Sequence, residues 1–225
     1  VGHDTTGDFF EQALRNLDIE PHIFRGTERS GKCVSLISPD GERTMLTHLG
    51  AALEMRPEMI DRRLFAGFDS LYIEGYLVQD HALIRRIASD VVDKHVDIVF
   101  ANESEAAAFT GEQQPLNALQ AISEMCSLAV VKIGTRGAII KRGSEVVHVG
   151  IMAAAQRVDT TGAGDFYAAG FLAGLCDGLS LRQCGTLGAI AAGKVIEIVG
   201  TTLGKEAWSD MRMLFERVRN DKYLF

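Results

Sequence analysis

The sequence predicts an α/β fold, a mostly parallel central sheet between helices in three layers, with a small β-flap. Two observations carry this. Short apolar runs that read as buried strands alternate with longer stretches whose apolar residues recur at helical spacing, and that alternation builds a parallel sheet. One pair of strand-like runs, 32–47, interrupts the alternation and reads as an added hairpin. The chain has 225 residues. That is enough for one large domain with a core that needs neither disulfides nor a structural metal.

The elements follow in order. Phe9, Phe10, Ala13, Leu14 and Leu17 share one helical face. Runs at 32–37 and 43–47 flank Ser38-Pro39-Asp40-Gly41, a turn signal, and form the hairpin. A buried strand is expected at 71–73 and a helix at 79–92. A second short strand, 96–101, runs into Asn102-Glu103-Ser104-Glu105. Pro115 opens a helix that extends to Cys126, with Leu119, Ile122 and Met125 on its inner face. The strand 128–133 comes next, followed by a meander of 137–141 and 145–149 about a Gly143-Ser144 turn. Helices are expected at 165–175 and 181–198, the second with Leu181, Cys184, Leu187, Ala191 and Val195 facing inward. Trp208, Met211, Leu214 and Val218 mark a last amphipathic helix.

Composition excludes several classes. The net charge is −7, and no basic block is present to neutralise nucleic-acid phosphates. No apolar run approaches the ~20 residues of a membrane span, and no signal peptide is apparent. Cys33, Cys126, Cys176 and Cys184 are widely spaced, which argues for reduced thiols in the cytoplasm over zinc or disulfides.

The strongest chemical signal is Asp159-Thr160-Thr161-Gly162-Ala163-Gly164-Asp165-Phe166. Its glycines stand at a helix start, where backbone N–H groups approach an anion closely and the helix end adds positive potential. Asp165 lies in the first turn. The pattern suits phosphoryl transfer, with the turn holding the transferring group and the carboxylate accepting a proton. The same residues also read as a glycine turn with Asp165 as a helix cap. Asp4-Thr5-Thr6-Gly7-Asp8 contains the same opening but lacks the second Gly-Asp step, and reads as a turn and cap.

The stretch Asp159–Phe171 resembles the C-terminal signature of the ribokinase-like (PfkB) carbohydrate kinases. Asn102-Glu103-Ser104-Glu105 resembles that family's NxxE motif, and Lys132-Ile133-Gly134-Thr135-Arg136-Gly137 its KxGxxG strand and turn. All three occur in family order. Gly41-Glu42-Arg43-Thr44-Met45 and Tyr72-Ile73-Glu74-Gly75-Tyr76 resemble the adenosine-kinase-like branch, which contains both nucleoside and sugar kinases. The resemblance implies a ribokinase-like three-layer sandwich over 1–225, with its N-terminal part lying upstream of Val1 and the 32–47 hairpin serving as a lid.

The resemblance also implies roles. Asp165 would be the catalytic base, with Gly162, Ala163 and Gly164 holding developing charge. Asn102 and Glu105 would position Mg²⁺ through water, although Asn102 and Glu105 also form a capping-box pattern. Lys132, Gly134 and Gly137 would face ATP, and Ala189, Ala192 and Gly193 would line its adenine side. Asp159 and Thr161 match a monovalent-cation loop, which points to K⁺, with Val195, Ile198, Gly200 and Gly204 as neighbours. Arg43 on the hairpin is a candidate substrate contact, and the hairpin itself a candidate homodimer contact. The expected partner is a small sugar or nucleoside, not nucleic acid and not membrane. Two alternatives stand beside this reading: a catalytically silent relative that binds sugar or nucleoside, and a dinucleotide-binding oxidoreductase, for which GxGxxG after a first strand is not found.

Overall fold

The structure is a computed structural model and describes residues 1–39, 43–67, 72, 97–153 and 156–221. The expected helix at 79–92, the Asp40-Gly41 turn and all but Tyr72 of the expected strand at 71–73 lie outside the described residues. The chain divides into two compact units, Val1–Leu36 with Thr44–His95 and Ile37–Arg43 with Val96–Phe225.

In the first unit, α1 spans Thr5–Arg15 and starts four residues before its apolar face because Asp4 caps it. Asp4 Oδ1 accepts from the Gly7 N–H at 2.9 Å and from Ser30 Oγ at 2.6 Å, while Oδ2 accepts from the Ser30 N–H at 2.8 Å. The Ser30 hydroxyl and these backbone donors hold the Asp4 carboxyl well below the usual range. This first DTTG copy is therefore a cap and a tie between segments, as its missing Gly-Asp step suggested. Strands β1 (Ser30–Ile37) and β2 (Arg43–Gly50) pair as a two-stranded sheet. Val34, Leu36 and Leu46 on this ribbon are exposed.

The second unit holds a four-stranded sheet of β3 (Ile98–Asn102), β4 (Leu128–Lys132), β5 (Ala138–Arg142) and β6 (Glu145–Val149), in that order. Only β3–β4 is parallel among these pairs; β4–β5 and β5–β6 are antiparallel. The described strands thus form a mixed sheet, with the expected 137–141 and 145–149 meander as its antiparallel part and β3–β4 as its parallel pair. The reason is chain length between strands: the Gly143-Ser144 turn can join only antiparallel neighbours, whereas a parallel pair needs a crossover. That crossover is made by α2 (Glu103–Thr110) and α3 (Pro115–Ser123).

Helix α3 begins with Pro115 as expected but ends before Cys126. The Met125 N–H turns back to the Ile122 carbonyl at 2.9 Å, a tight bond that rotates Met125 off the inner face and leaves it 47% exposed. Leu119 and Ile122 are buried as expected, against Ala129, Val131 and Ile139 on one sheet face. The other face packs on α4 (Ala163–Cys176) and α5 (Leu181–Val195). Leu128, Val130, Ile140 and Val149 meet Phe171 there, and Phe171 packs edge-on to Phe100 with ring centroids 5.4 Å apart. Leu181, Cys184, Leu187, Ala191 and Val195 are all buried. Helix α6 (Lys205–Arg219) buries Met211 and Val218, while Trp208 keeps one side exposed and lies against Phe166. All four cysteines are free thiols. Among the described residues, no helix is long and apolar enough to cross a membrane.

Candidate active site

The parallel register pairs Asn102 with Lys132, the last residues of β3 and β4. Both strands therefore end together, and the carboxyl ends of parallel strands are where open α/β sheets bind ligands. Helix α2 starts at once from Asn102. The Asn102 carbonyl oxygen of the side chain accepts from the Glu105 N–H at 2.9 Å, and Glu105 Oε2 accepts from the Asn102 N–H at 2.7 Å. That is the capping box read from the sequence. It engages one carboxylate oxygen and leaves Glu105 Oε1 without a hydrogen bond among the described residues. Glu105 is exposed. A hard divalent cation that keeps most of its waters fits such sparse ligation. No cluster of three ionisable metal-ligating side chains exists among the described residues.

After β4 the chain turns through Gly134 (φ 60°) and Gly137 (φ 93°), both in the left-handed region that favours glycine. Gly137 is also required sterically, since a β-carbon there would stand 2.0 Å from the Val149 carbonyl oxygen. Arg136 in this turn pairs with Glu103 in the first turn of α2. His148 Nε2 donates to the Arg136 carbonyl at 2.8 Å. The turn after β4 is thus tied both to α2 and to β6.

The glycine turn opens α4. Gly162 is its N-cap at φ 75°, and a β-carbon there would meet Thr201 Cγ2 at 2.7 Å. The Ala163 N–H donates to the Thr160 carbonyl at 3.2 Å, and the Phe166 N–H to the Gly162 carbonyl at 2.8 Å. The N–H groups of Gly164 and Asp165, in the first helical turn, find no acceptor among the described residues; such first-turn donors have no partner within a helix. Asp165 is exposed and its carboxylate makes no hydrogen bond or ion pair among the described residues. A side chain capping its own helix would accept a backbone N–H, and Asp165 does not. The neighbour of Gly164 is Lys132: a β-carbon on Gly164 would stand 2.8 Å from Lys132 Nζ. The lysine at the end of β4 thus reaches the turn that carries Asp165.

Asp159 is buried, 1% exposed. Its Oδ1 accepts from the Thr161 N–H at 2.8 Å and Thr161 Oγ1 at 2.6 Å, and its Oδ2 accepts from the Gly200 N–H at 2.9 Å. The Val158 N–H adds a bond to the Ile196 carbonyl at 2.8 Å. The loop before α4 is therefore fastened to the loop after α5, where Ile198 and Gly200 lie. Ala189 is buried in the core, Ala192 packs beside it, and Gly193 lets Met152 approach, its added β-carbon lying 3.0 Å from Met152 Cβ. Arg43 opens β2, and its side chain lies outside the described set. Sequence reasoning did not identify the Arg136–Glu103 pair, which spans 33 positions, or Thr201 against Gly162. The only hint of the first was opposite charge in two neighbouring motifs.

The family described as pfkB family carbohydrate kinase matches residues 1–88 and 84–208. A nucleoside kinase of Methanocaldococcus jannaschii is 29% identical, with the match covering 97% of this chain and 78% of that protein. The solved adenosine kinase of Sinorhizobium meliloti superposes with a TM-score of 0.84 at 32% identity, covering 95% of this chain and 75% of the other. A probable sugar kinase of Rhizobium etli superposes with the same TM-score of 0.84 at 30% identity, covering 95% and 74%.

Proposed function

We propose, for a chain that belongs to the pfkB family of carbohydrate kinases, a transfer of the γ-phosphoryl group of ATP to a hydroxyl of a sugar or nucleoside. As a family member the chain is an ATP-dependent kinase; its similarity to nucleoside, adenosine and sugar kinases supports that acceptor class. One observation carries the mechanism. Asp165 presents an exposed carboxylate, without a partner among the described residues, in the first turn of a helix whose Gly164 N–H is also free of an acceptor there.

Mg²⁺-ATP, when bound, supplies the phosphoryl group and part of the charge neutralisation. Asp165 accepts the proton of the attacking hydroxyl. Gly162, Ala163 and Gly164 present the turn to the developing charge, with the Ala163 N–H shared with Thr160. Asn102 and Glu105 would hold Mg²⁺ by way of water, the metal supplying charge neutralisation on the phosphates. Lys132, Gly134 and Gly137 face the phosphates, and Ala189, Ala192 and Gly193 back the adenine side. Asp159 and Thr161 would frame a K⁺ site, the ion supplying charge balance beside the glycine turn. The 32–47 hairpin would serve as lid and dimer contact, with Arg43 as its candidate substrate residue. Its exposed Val34, Leu36 and Leu46 support that role, because a two-stranded ribbon has no core of its own.

The test is Asp165→Asn, assayed as ADP release with ribose, adenosine and cytidine as acceptors. Asn preserves shape but cannot accept a proton at neutral pH. A general base contributes about 10²–10⁴-fold, so kcat should fall by that factor while ATP affinity changes little. A kcat within about threefold of wild type would remove Asp165 from the mechanism.

A further inference from the structure

We propose that Arg136 and Glu103 are a pair of positioning residues that set the spacing between the metal side and the phosphate side of the site; this rests on the kinase reading above. The sheet alone does not set that spacing. The β3–β4 ladder ends at Asn102 and Lys132. Beyond those residues the two segments part. One enters α2 at Glu103, and the other makes a single helical turn, Gly134–Arg136. Glu105 stands on the first segment, and Gly134 and Gly137 bound the second. Past the end of the ladder, the Arg136–Glu103 ion pair joins the two segments across 33 positions.

Both ends of this pair are held from behind. The His148 ring on β6 donates from Nε2 to the Arg136 carbonyl at 2.8 Å. Arg182, in the first turn of α5, donates from Nη1 to the His148 carbonyl at 3.2 Å. Glu103 is the first residue of a helix whose start is fixed by the Asn102–Glu105 capping box. A continuous polar line therefore runs from α5 through β6 and the turn to α2. The pair itself lies at the surface, with the Arg136 side chain 62% and the Glu103 side chain 41% exposed. Exposed ion pairs add little to stability, at most about fivefold in an equilibrium constant. Loss of the pair should therefore be felt in geometry before it is felt in folding.

Spacing matters because α2 carries Glu105, proposed for the metal, while the turn faces the phosphates that the same metal bridges. A shift of ~1 Å between groups that must meet one ligand can cost about 10²-fold. Charge and spacing make opposite forecasts for Glu103. Neutralising it removes a carboxylate from the metal side, which on charge alone would favour an anionic nucleotide. Neutralising it also releases Arg136 and the turn, which on spacing disfavours that nucleotide.

The experiment compares wild type with Arg136→Met, Glu103→Gln and the exchanged pair, Glu103→Arg with Arg136→Glu. Four quantities are read: calorimetric Mg²⁺-ATP binding at low and high salt, amide hydrogen exchange without ligand, melting temperature, and ADP release with ribose, adenosine and cytidine. Each single variant should bind Mg²⁺-ATP about 3–10-fold more weakly, a usual coupling for residues in contact. The exchanged pair should recover most of that loss. Exchange at the amides of 103–105 and 134–137 should quicken in the single variants and slow again in the exchanged pair. Melting temperatures should stay within about 2 °C of wild type. High salt should narrow the gap between wild type and the single variants, since it screens exposed charges. Tighter Mg²⁺-ATP binding by Glu103→Gln would make the effect one of charge and overturn the proposal. Weakened binding that the exchanged pair does not restore would show two residues acting separately, and overturns it too. Unchanged binding in both single variants, with ADP release intact, would overturn the positioning role and leave the kinase reading standing. No Mg²⁺-ATP binding by wild type would defeat the kinase reading itself, and the positioning role with it.

Discussion

Tyr167 lies two residues after Asp165 and buries its hydroxyl with no hydrogen-bond partner among the described residues. Burial pushes its phenol well above the ordinary value. Its ring stacks on Phe171 with centroids 6.4 Å apart, so the aromatic body packs well while the polar tip is orphaned. An unpaired buried hydroxyl costs about 1–3 kcal/mol, and deleting it leaves the ring packing intact. Tyr167→Phe should therefore raise the melting temperature by a few degrees, since about 1 kcal/mol shifts a domain of this size by ~2–4 °C. A lower melting temperature, read by calorimetry, would mean that a bound water or ligand satisfies the hydroxyl. Asp159 is the contrasting residue. Three hydrogen bonds to Thr161 and Gly200 make its buried carboxylate a tie between two loops. The capping box of Asn102 and Glu105 likewise shows that a local structural role and a metal role can share residues, because each carboxylate has two oxygens.

Helices α4 and α5 approach through glycines. A β-carbon on Gly170 would stand 2.6 Å from the Leu187 carbonyl oxygen, and one on Gly188 would stand 2.8 Å from the Tyr167 carbonyl oxygen. In both cases the obstacle is backbone, which cannot swing aside. The close packing holds α4 against the core, and α4 carries Gly164 and Asp165 at its start. Gly188→Ala should force the helices apart and cost about 1–3 kcal/mol, the usual range for overpacking. Turnover per folded molecule should also fall, because a displacement of ~1 Å at a reacting group can cost about 10²-fold. Thermal unfolding and kcat, measured on the same sample, check both parts. An unchanged melting temperature would show that the two helices part freely. The sequence displayed these glycines but not their partners. Helical periodicity identifies which face is inward, and is silent on which backbone carbonyl lies opposite.

The second unit brings the proposed site together from three chain segments: the end of β3 with α2, the end of β4 with its turn, and the glycine turn of α4. If Asp159 and Thr161 frame a monovalent site, turnover should rise when K⁺ replaces a large organic cation at constant ionic strength. Chelating Mg²⁺ should abolish turnover, since the β- and γ-phosphates then lose their neutralising charge. Equal rates in the two salts would remove the monovalent cation from the reading. Much of this molecule is legible from residue order alone. The caps of α1 and α2, the hairpin, the meander and the inner face of α5 depend on hydrogen bonds or periodicities spanning a few residues, and those patterns stand in the sequence. The glycine turn with Asp165 is equally local. The β3-β4-β5-β6 strand order, the Glu103–Arg136 tie across 33 positions and the Asp159–Gly200 tie across 41 required the folded chain. So did the approach of Lys132 to Gly164. A lysine at a strand end reads as solvated because its surroundings are set by which strands end together and which helix starts there. Those are consequences of register and crossover, properties of the packed sheet that no short stretch of sequence contains.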